Sequence, residues 1–340
     1  MVNTKAVIFG VQGPNLLEKE IDFFKSVQPL GFILFARNCL TPSQLKNLVS
    51  ELKTIAHDHN TLVLIDQEGG RVARLVPPNW PKRPSAGVFA KLAEENVALA
   101  TEALNLNARL IAEDLRELGI NVNCAPVLDI LQIDADPIIG DRSFGYDVEQ
   151  ISAFGKVFCK GLIKGGILPV IKHIPGHGRA RVDSHKAMPL VDTPWNELSD
   201  SDFVPFKNLS DMPFAMTAHI LFSNIDPENL VTVSAKIIEE VIRKEILFEG
   251  FLITDDLSMD ALEGTLTQRT RSSLNAGCDA VLHCNGNMRE MIEIASVAEE
   301  LTDAAKLRLN NGFMQIENVE PLDKTRAIDK LVSLGLYQEL

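Results

Sequence analysis

The sequence has 340 residues, 46% of them hydrophobic and 23% charged, which is the composition of a globular chain that can bury a large core without metals or disulfides. Its formal net charge of -13 argues against nucleic-acid partners and anionic membrane surfaces, because both would repel it. The five cysteines are scattered and lack CxxC spacing, so we expect reduced thiols in a cytosolic protein.

The first apolar run, residues 6–11, gives no indication of export. Gln12, Gly13 and Pro14 follow it, which leaves the run too short for the apolar core of a signal peptide. No apolar stretch of about 18 residues that could span a bilayer occurs elsewhere. We therefore expect a cytoplasmic protein without a membrane partner.

Short apolar runs rich in Val, Ile, Leu and Phe recur along the chain and predict buried strands. They are residues 6–11, 31–36, 62–66, 121–129, 168–173, 214–219, 251–256 and 280–285. Helical patterns lie between them, and the clearest runs from about Phe89 to Leu118, with Gly119 as its C-cap. Because parallel strands need crossover helices, this alternation predicts one (β/α)8 TIM-type barrel over residues 1–340, with C-terminal helices from about residue 305 packed on it.

Polar residues follow most of these runs, at the end where the active site of such a barrel lies. They are Asp66, Asp129, Lys172, His173, His219, Asp255, Asp256 and Asn285. Any one of them is more simply explained as a helix cap or a loop residue that bonds the backbone. Their repetition over six strands favours a shared functional site.

The segment KHIPGHGRARVDSH, residues 172–185, concentrates three histidines, a lysine and an aspartate directly after a buried strand. His173 and His177 are four residues apart, but Pro175 and Gly176 between them prevent the helix that would place both rings on one face. No metal site is therefore expected.

Asp183 and His185 are two residues apart in the same segment, so their side chains can point the same way. A carboxylate bonded to one imidazole nitrogen would leave the other free to transfer a proton. The spacing fits equally well a loop histidine that an aspartate holds for order alone.

Several blocks of the sequence resemble family 3 glycoside hydrolases of the bacterial β-N-acetylglucosaminidase type. Besides residues 172–185, they are ITDDLSM (253–259), DQEGGRVARL (66–75), PPNWPKRPSA (77–86), NVNCAPVLDI (121–130), DRSFG (141–145), MTAHI (216–220) and AGCDAVLHCN (276–285). Independent blocks in the same order are a stronger signal than any single motif. One departure is Ile174, where the family often has an aromatic residue, and it affects packing more than chemistry.

The resemblance implies a retaining mechanism in which Asp255 is the nucleophile and forms a covalent glycosyl-enzyme. It also implies that His185, supported by Asp183, is the acid/base in place of the usual second carboxylate. No cofactor or metal is needed. The histidines His177 and His219 receive no role and are interpreted as structural.

The resemblance further implies that one terminal sugar is held by charged residues of three blocks: Asp66, Arg74, Arg142, Lys172 and His173. The chain is too short for the extra sandwich domain of many relatives. Short members of the family are typically cytoplasmic enzymes of peptidoglycan recycling, so the expected substrate is N-acetylglucosaminyl-1,6-anhydro-N-acetylmuramoyl peptide and the expected state is a monomer.

Three alternatives stay open from the sequence. A histidine acid/base does not repel phosphate, so a β-N-acetylglucosaminide phosphorylase is possible. Substrate-assisted hydrolysis could use Asp255 and Asp256 as an acidic pair. A non-catalytic muropeptide-binding sensor would need neither Asp255 nor His185.

Overall fold

The computed structural model describes residues 4–56, 61–133, 136–182 and 188–337. Its strands are β1 Lys5–Gly10, β2 Pro29–Leu34, β3 Leu62–Ile65, β4 Val122–Asn123, β5 Leu168–Ile174, β6 Leu190–Val191, β7 Phe214–Thr217, β8 Leu221–Phe222, β9 Phe251–Asp256 and β10 Ala280–His283. A closed parallel barrel has the strand order β1-β10-β9-β7-β5-β4-β3-β2, and β6 pairs with β8 outside it. The predicted (β/α)8 barrel is confirmed, and each predicted strand overlaps one barrel strand.

Helices connect the strands and cover the barrel. They are α1 Glu18–Val27, α2 Pro42–Ile55, α3 Ala86–Glu95, α4 Val97–Glu117, α5 Val148–Lys164, α6 Trp195–Asp200, α7 Val204–Asn208, a π-helix Ile237–Glu245, α8 Leu266–Ala276, α9 Met288–Ala295, α10 Asp303–Gln315 and α11 Lys324–Ser333. Within the described ranges, none of the helices is long and apolar enough to cross a membrane.

The single helix expected from about Phe89 to Leu118 is interrupted at Asn96. This residue has an extended backbone, and its side chain accepts a hydrogen bond from the Leu99 N–H as the N-cap of α4. The prediction of one continuous helix was therefore wrong. The apolar spacing is kept across the break, and asparagine favours caps because its side chain competes for backbone hydrogen bonds.

The barrel strands are buried on both faces, which explains their continuous apolar runs. In β1, Val7 and Phe9 point outward into the layer between strands and helices, whereas Ala6 and Ile8 point into the barrel. This alternation follows from the two-residue period of a strand.

Helix α10 packs across the N-terminal end of the barrel. Its Ala305 and Leu309 are buried in the interior cluster, and a Cβ on Gly312 would lie 2.9 Å from the Phe214 ring. Arg308 pairs with Asp279 at 2.7 Å, directly before β10. The C-terminal ends of the strands form the opposite end, where the cavity described next lies.

Candidate active site

A cavity of about 220 Å³ lies at the C-terminal ends of the barrel strands. Its apolar lining is Ile33, Phe35, Val72, Ile138, Ile139, Met216 and Leu282, and its polar lining is Asp66, Arg71, Arg74, Arg142, Lys172, His173, His177, Asp255, Asp256 and Cys284. Every described residue to which the sequence analysis gave a catalytic or sugar-binding role therefore borders one cavity. Asp183 and His185 lie outside the described residues.

One wall of the cavity carries Asp66, Arg74, Arg142 and Lys172, and Glu68 completes this cluster of charged side chains through its contacts with Arg142 and Lys172. Below it is called the charged cluster. The Lys172 Nζ donates to Asp66 Oδ1 at 2.9 Å and lies 2.7 Å from Glu68 Oε1. Arg74 contacts the other oxygen of Asp66 at 3.1 Å. Burial opposes the charge on Lys172, but the two carboxylates outweigh it and raise the Lys172 pKa.

Glu68 is a site residue that the sequence analysis missed. It accepts two hydrogen bonds from Arg142, both at 2.9 Å, so that the guanidinium and carboxylate form a bidentate pair. Its position in the sequence was a usable signal, because it lies two residues after Asp66 in the DQEGGRV block. Together with Asp66 it balances the charge of the buried cations.

A second buried carboxylate, Asp129, holds the histidine segment in place. Its Oδ2 lies 2.7 Å from Nδ1 of His173, and its Oδ1 accepts from the backbone N–H groups of His173 and His177. The carboxylate therefore favours a proton on Nδ1 of His173 and leaves Nε2 for the cavity. Burial, followed by the adjacent His173, lowers the pKa of His177 to about 4.

The two histidine rings lie close together although no helix joins them. The centroids of His173 and His177 are 5.5 Å apart, with an edge-to-face arrangement. Asp129 was named in the sequence analysis only as a polar residue after a strand. Its role depends on the folded loop, which a linear pattern does not reveal.

Asp255 lies at the end of β9, opposite the charged cluster. Its Oδ1 accepts from the Asp256 N–H at 2.8 Å, and no hydrogen bond to a described residue involves its Oδ2. Burial opposes ionisation, but the imidazoles of His219 and His173, the Asp256 N–H and Lys172 keep the Asp255 pKa below its usual value. The cavity thus contains an ionised carboxylate with one oxygen held and one available.

Two neighbouring residues do not join the cavity lining. Asn285 is exposed and donates to Glu290 at 2.7 Å, so this strand-end residue stabilises a loop. His219 is fully buried behind Asp255 and Asp256.

We expect Glu68→Gln to lower kcat/KM by about 10- to 100-fold, because Lys172 and Arg142 lose the anion that orients them. Glutamine keeps the length of the side chain, so the effect reports the charge. Kinetics with an aryl β-N-acetylglucosaminide measure it, and Glu94→Gln on the exposed face of α3 is the matched control. Equal kcat/KM in the two variants would contradict this role.

The same variant has a defined pH signature. Burial opposes the charge of Glu68, yet Lys172 and Arg142 lower its pKa from 4.5 to about 2. Since the folded-state pKa is depressed, the stabilisation is complete above pH 4.5 and is lost as the pH falls towards 2. The difference in Tm between wild type and Glu68→Gln should therefore be constant near neutrality and shrink below pH 4.5. Thermal unfolding from pH 7 downwards tests this.

The fold and the cavity define a TIM-barrel enzyme with the site of a glycosidase: an ionised carboxylate faces charged groups suited to binding sugar hydroxyls. Residues 15–319 match the glycosyl hydrolase family 3 N-terminal domain. The chain therefore belongs to glycosyl hydrolase family 3.

Two curated relatives are named β-hexosaminidase. The protein from Tolumonas auensis is 34% identical over 313 residues, covering 90% of this chain and 91% of its own length. The protein from Methylobacillus flagellatus is 33% identical over 283 residues, covering 82% and 80% respectively. The solved structure of NagZ from Neisseria gonorrhoeae with N-trifluoroacetyl-D-glucosamine is similar at a TM-score of 0.83 and 27% identity, with 98% of this chain and 96% of that chain covered.

Proposed function

We propose that this glycoside hydrolase is a retaining exo-β-N-acetylglucosaminidase that removes terminal N-acetylglucosamine from 1,6-anhydro-N-acetylmuramoyl peptides during cytoplasmic cell-wall recycling. The observation that carries the proposal is the position of Asp255, whose available oxygen faces a cavity with the charged cluster on another wall. The names of the relatives support β-hexosaminidase activity, and the ligand of the Neisseria gonorrhoeae structure supports an N-acetylglucosamine-type sugar.

In this mechanism Asp255 attacks the anomeric carbon while the leaving oxygen is protonated, and a covalent glycosyl-enzyme forms. Water then displaces Asp255 from that carbon, which restores the starting configuration. The depressed pKa of Asp255 supports this role, because the carboxylate stays ionised at neutral pH.

The charged cluster holds the sugar. Lys172 and the guanidinium of Arg142 donate to hydroxyl oxygens of the sugar and to the N-acetyl carbonyl, and Asp66 accepts from two hydroxyls. Arg74 orients Asp66, and His173 donates or accepts at the same end of the cavity. Glu68 acts indirectly, because its oxygens are engaged by the two cations.

His185 is the proposed acid/base, with Asp183 to orient its ring. Both residues belong to residues 183–187, outside the described ranges. The glycines and the proline at residues 175–178 precede them, and we propose that this loop brings the dyad to Asp255 when a sugar is bound.

The substrate and the reaction are tested by one comparison. The enzyme is incubated in phosphate buffer with an aryl β-N-acetylglucosaminide and, separately, with the N-acetylglucosaminyl-1,6-anhydro-N-acetylmuramoyl peptide. Release of N-acetylglucosamine from both supports the proposal. Release of N-acetylglucosamine 1-phosphate would indicate a phosphorylase. Turnover of the aryl compound alone would contradict the muropeptide substrate. No turnover of either compound would favour a sensor. Size-exclusion chromatography tests the proposed monomer.

We expect Lys172→Met to raise KM and to lower kcat/KM by about 100-fold, because the contact that positions the sugar is lost. Stability should also fall, by at most about 3–5 kcal/mol, since the buried Asp66 and Glu68 lose the cation they share and keep only Arg74 and Arg142. Lys160→Met, on the exposed face of α5, is the control. Steady-state kinetics and urea unfolding report the two effects, and unchanged kcat/KM would place the sugar elsewhere.

A further inference from the structure

Strand β9 loses its regular backbone pairing where it reaches Asp255. On the side of β7 the paired residues end at Met216 and Ile253. On the side of β10 the register shifts between Ala280 and Leu282, and the Thr254 hydroxyl accepts from the Leu282 N–H in place of a backbone carbonyl. Pairing on this side resumes between Leu282 and Asp256, and the Leu257 N–H donates to the Leu282 carbonyl. The nucleophile therefore lies on a segment that the sheet holds less regularly than the rest of the strand.

Side chains add hydrogen bonds around Asp256, which lies beyond the last paired residues on the side of β7. Its carboxylate accepts from the backbone N–H groups of Ser258 and Cys284 and from the Ser258 hydroxyl. Its carbonyl accepts from the Met259 N–H at 3.2 Å and from Nε2 of His219 at 3.0 Å. His219 follows β7 by two residues, so its imidazole extends the contact between β7 and β9 beyond the last backbone pair.

The hydrogen bonds place a proton on Nε2 of His219. A carbonyl oxygen can only accept, so Nε2 carries a proton. Nδ1 lies 2.7 Å from the Thr232 hydroxyl, which donates to the Ala218 carbonyl at 3.1 Å and lies 2.8 Å from the Thr217 hydroxyl. A neutral ring requires the single Thr232 proton to turn from the Ala218 carbonyl to Nδ1, and Thr217 can then donate to Thr232. Burial lowers the pKa of His219, which agrees with a neutral ring.

We propose that His219 is a positioning residue for the nucleophile: its Nε2–H bond to the Asp256 carbonyl aims the Asp255 carboxylate at the anomeric carbon. It neither touches the sugar nor transfers a proton. The charged cluster belongs to β5 and to the loops that follow β3 and β4, so we expect sugar binding not to depend on His219. The inference rests on the proposed role of Asp255.

The test compares His219→Leu with His219→Gln, which keeps an N–H donor near the Nε2 position. For His219→Leu we expect kcat/KM for an aryl β-N-acetylglucosaminide to fall by about 10- to 100-fold. The inhibition constant of N-acetylglucosamine should stay that of wild type, and His219→Gln should recover most of the loss. The proposal would be overturned if His219→Leu also bound N-acetylglucosamine more weakly, or if it kept the kcat/KM of wild type. It would equally be overturned if His219→Gln had a kcat/KM as low as that of His219→Leu.

Thr232 provides a second, smaller perturbation that keeps the test valid if His219→Leu does not fold. Thr232→Val removes the hydroxyl that contacts Nδ1 of His219, whereas Thr232→Ser keeps it. We expect the valine variant to lose kcat/KM without losing affinity for N-acetylglucosamine, and the serine variant to resemble wild type. Equal kcat/KM in the valine and serine variants would count against a role of the Thr232 hydroxyl in holding the His219 ring.

A fluorinated glycosyl donor separates this inference from the proposed mechanism. In wild type, the 5-fluoro donor should label Asp255, as mapped by mass spectrometry of the digest. An adduct on another acid would overturn the mechanism and the role of His219 with it. The rate of labelling is then compared between wild type and whichever folded variant of His219 or Thr232 has the lowest kcat/KM. Equal rates would overturn the positioning role of His219 but leave Asp255 as the nucleophile.

Discussion

Asp255→Ala is expected to lower kcat by about 10⁴-fold or more while the protein stays folded, because the covalent intermediate can no longer form. The residue lies at the end of β9 and borders the cavity, and its Oδ2 has no bond to any described residue that folding would lose. Stopped assays with an aryl β-N-acetylglucosaminide measure the loss. Asp211→Ala, an exposed aspartate before β7, is the matched control.

Added azide gives the alanine variant a distinct signature. The small anion can enter the space left by the carboxylate and attack the anomeric carbon from that side, releasing the aryl group and giving a glycosyl azide. Recovery of turnover with this product would identify Asp255 as the nucleophile. An alanine variant with near-normal kcat would move the role to another acid.

His185→Ala is expected to impair a natural disaccharide by about 10²–10⁴-fold and an aryl glycoside with an acidic phenol only modestly. An acidic phenol leaves without much protonation, whereas a sugar hydroxyl does not. A series of aryl N-acetylglucosaminides with phenols of increasing pKa measures the dependence. The defect should grow steadily with the phenol pKa.

Asp183→Ala should follow the same trend less steeply, because Asp183 orients the imidazole without touching the substrate. His177→Ala is the informative comparison, since this buried ring borders the cavity but has no assigned proton transfer. A defect of His185→Ala that is independent of the phenol pKa would rule out the proton-shuttle assignment.

The barrel could be predicted because its signal is repeated. Each strand is buried on both faces, so each appears as a short apolar run, and the eight runs alternate with helical segments. The break at Asn96 could not be predicted in the same way. The apolar spacing continues through it, and asparagine is compatible with both the interior and the cap of a helix.

The candidate site was predictable where a residue follows a strand, as Asp66, Lys172 and Asp255 do. Glu68 and Asp129 were harder to assign, because each acts through other side chains: Glu68 through Arg142 and Lys172, and Asp129 through the histidine segment. Such partners are brought together by loops that close only in the folded protein. The proposed role of His219 depends on its hydrogen bond to the backbone carbonyl of Asp256, and a pattern of side chains in the sequence cannot predict such a bond.

The side chains that fill the barrel, together with α10 across its N-terminal end, close the cavity from below, so a sugar enters and leaves at the C-terminal ends of the strands. The terminal sugar occupies the closed end of the cavity and the aglycone lies nearer the mouth, so the sugar can leave only after the aglycone has left. Free N-acetylglucosamine therefore binds the same empty enzyme as fresh substrate and should compete with it directly. The departing aglycone binds a different form, so its inhibition should not be purely competitive. In a cell that accumulates N-acetylglucosamine, the sugar would therefore slow the enzyme that releases it.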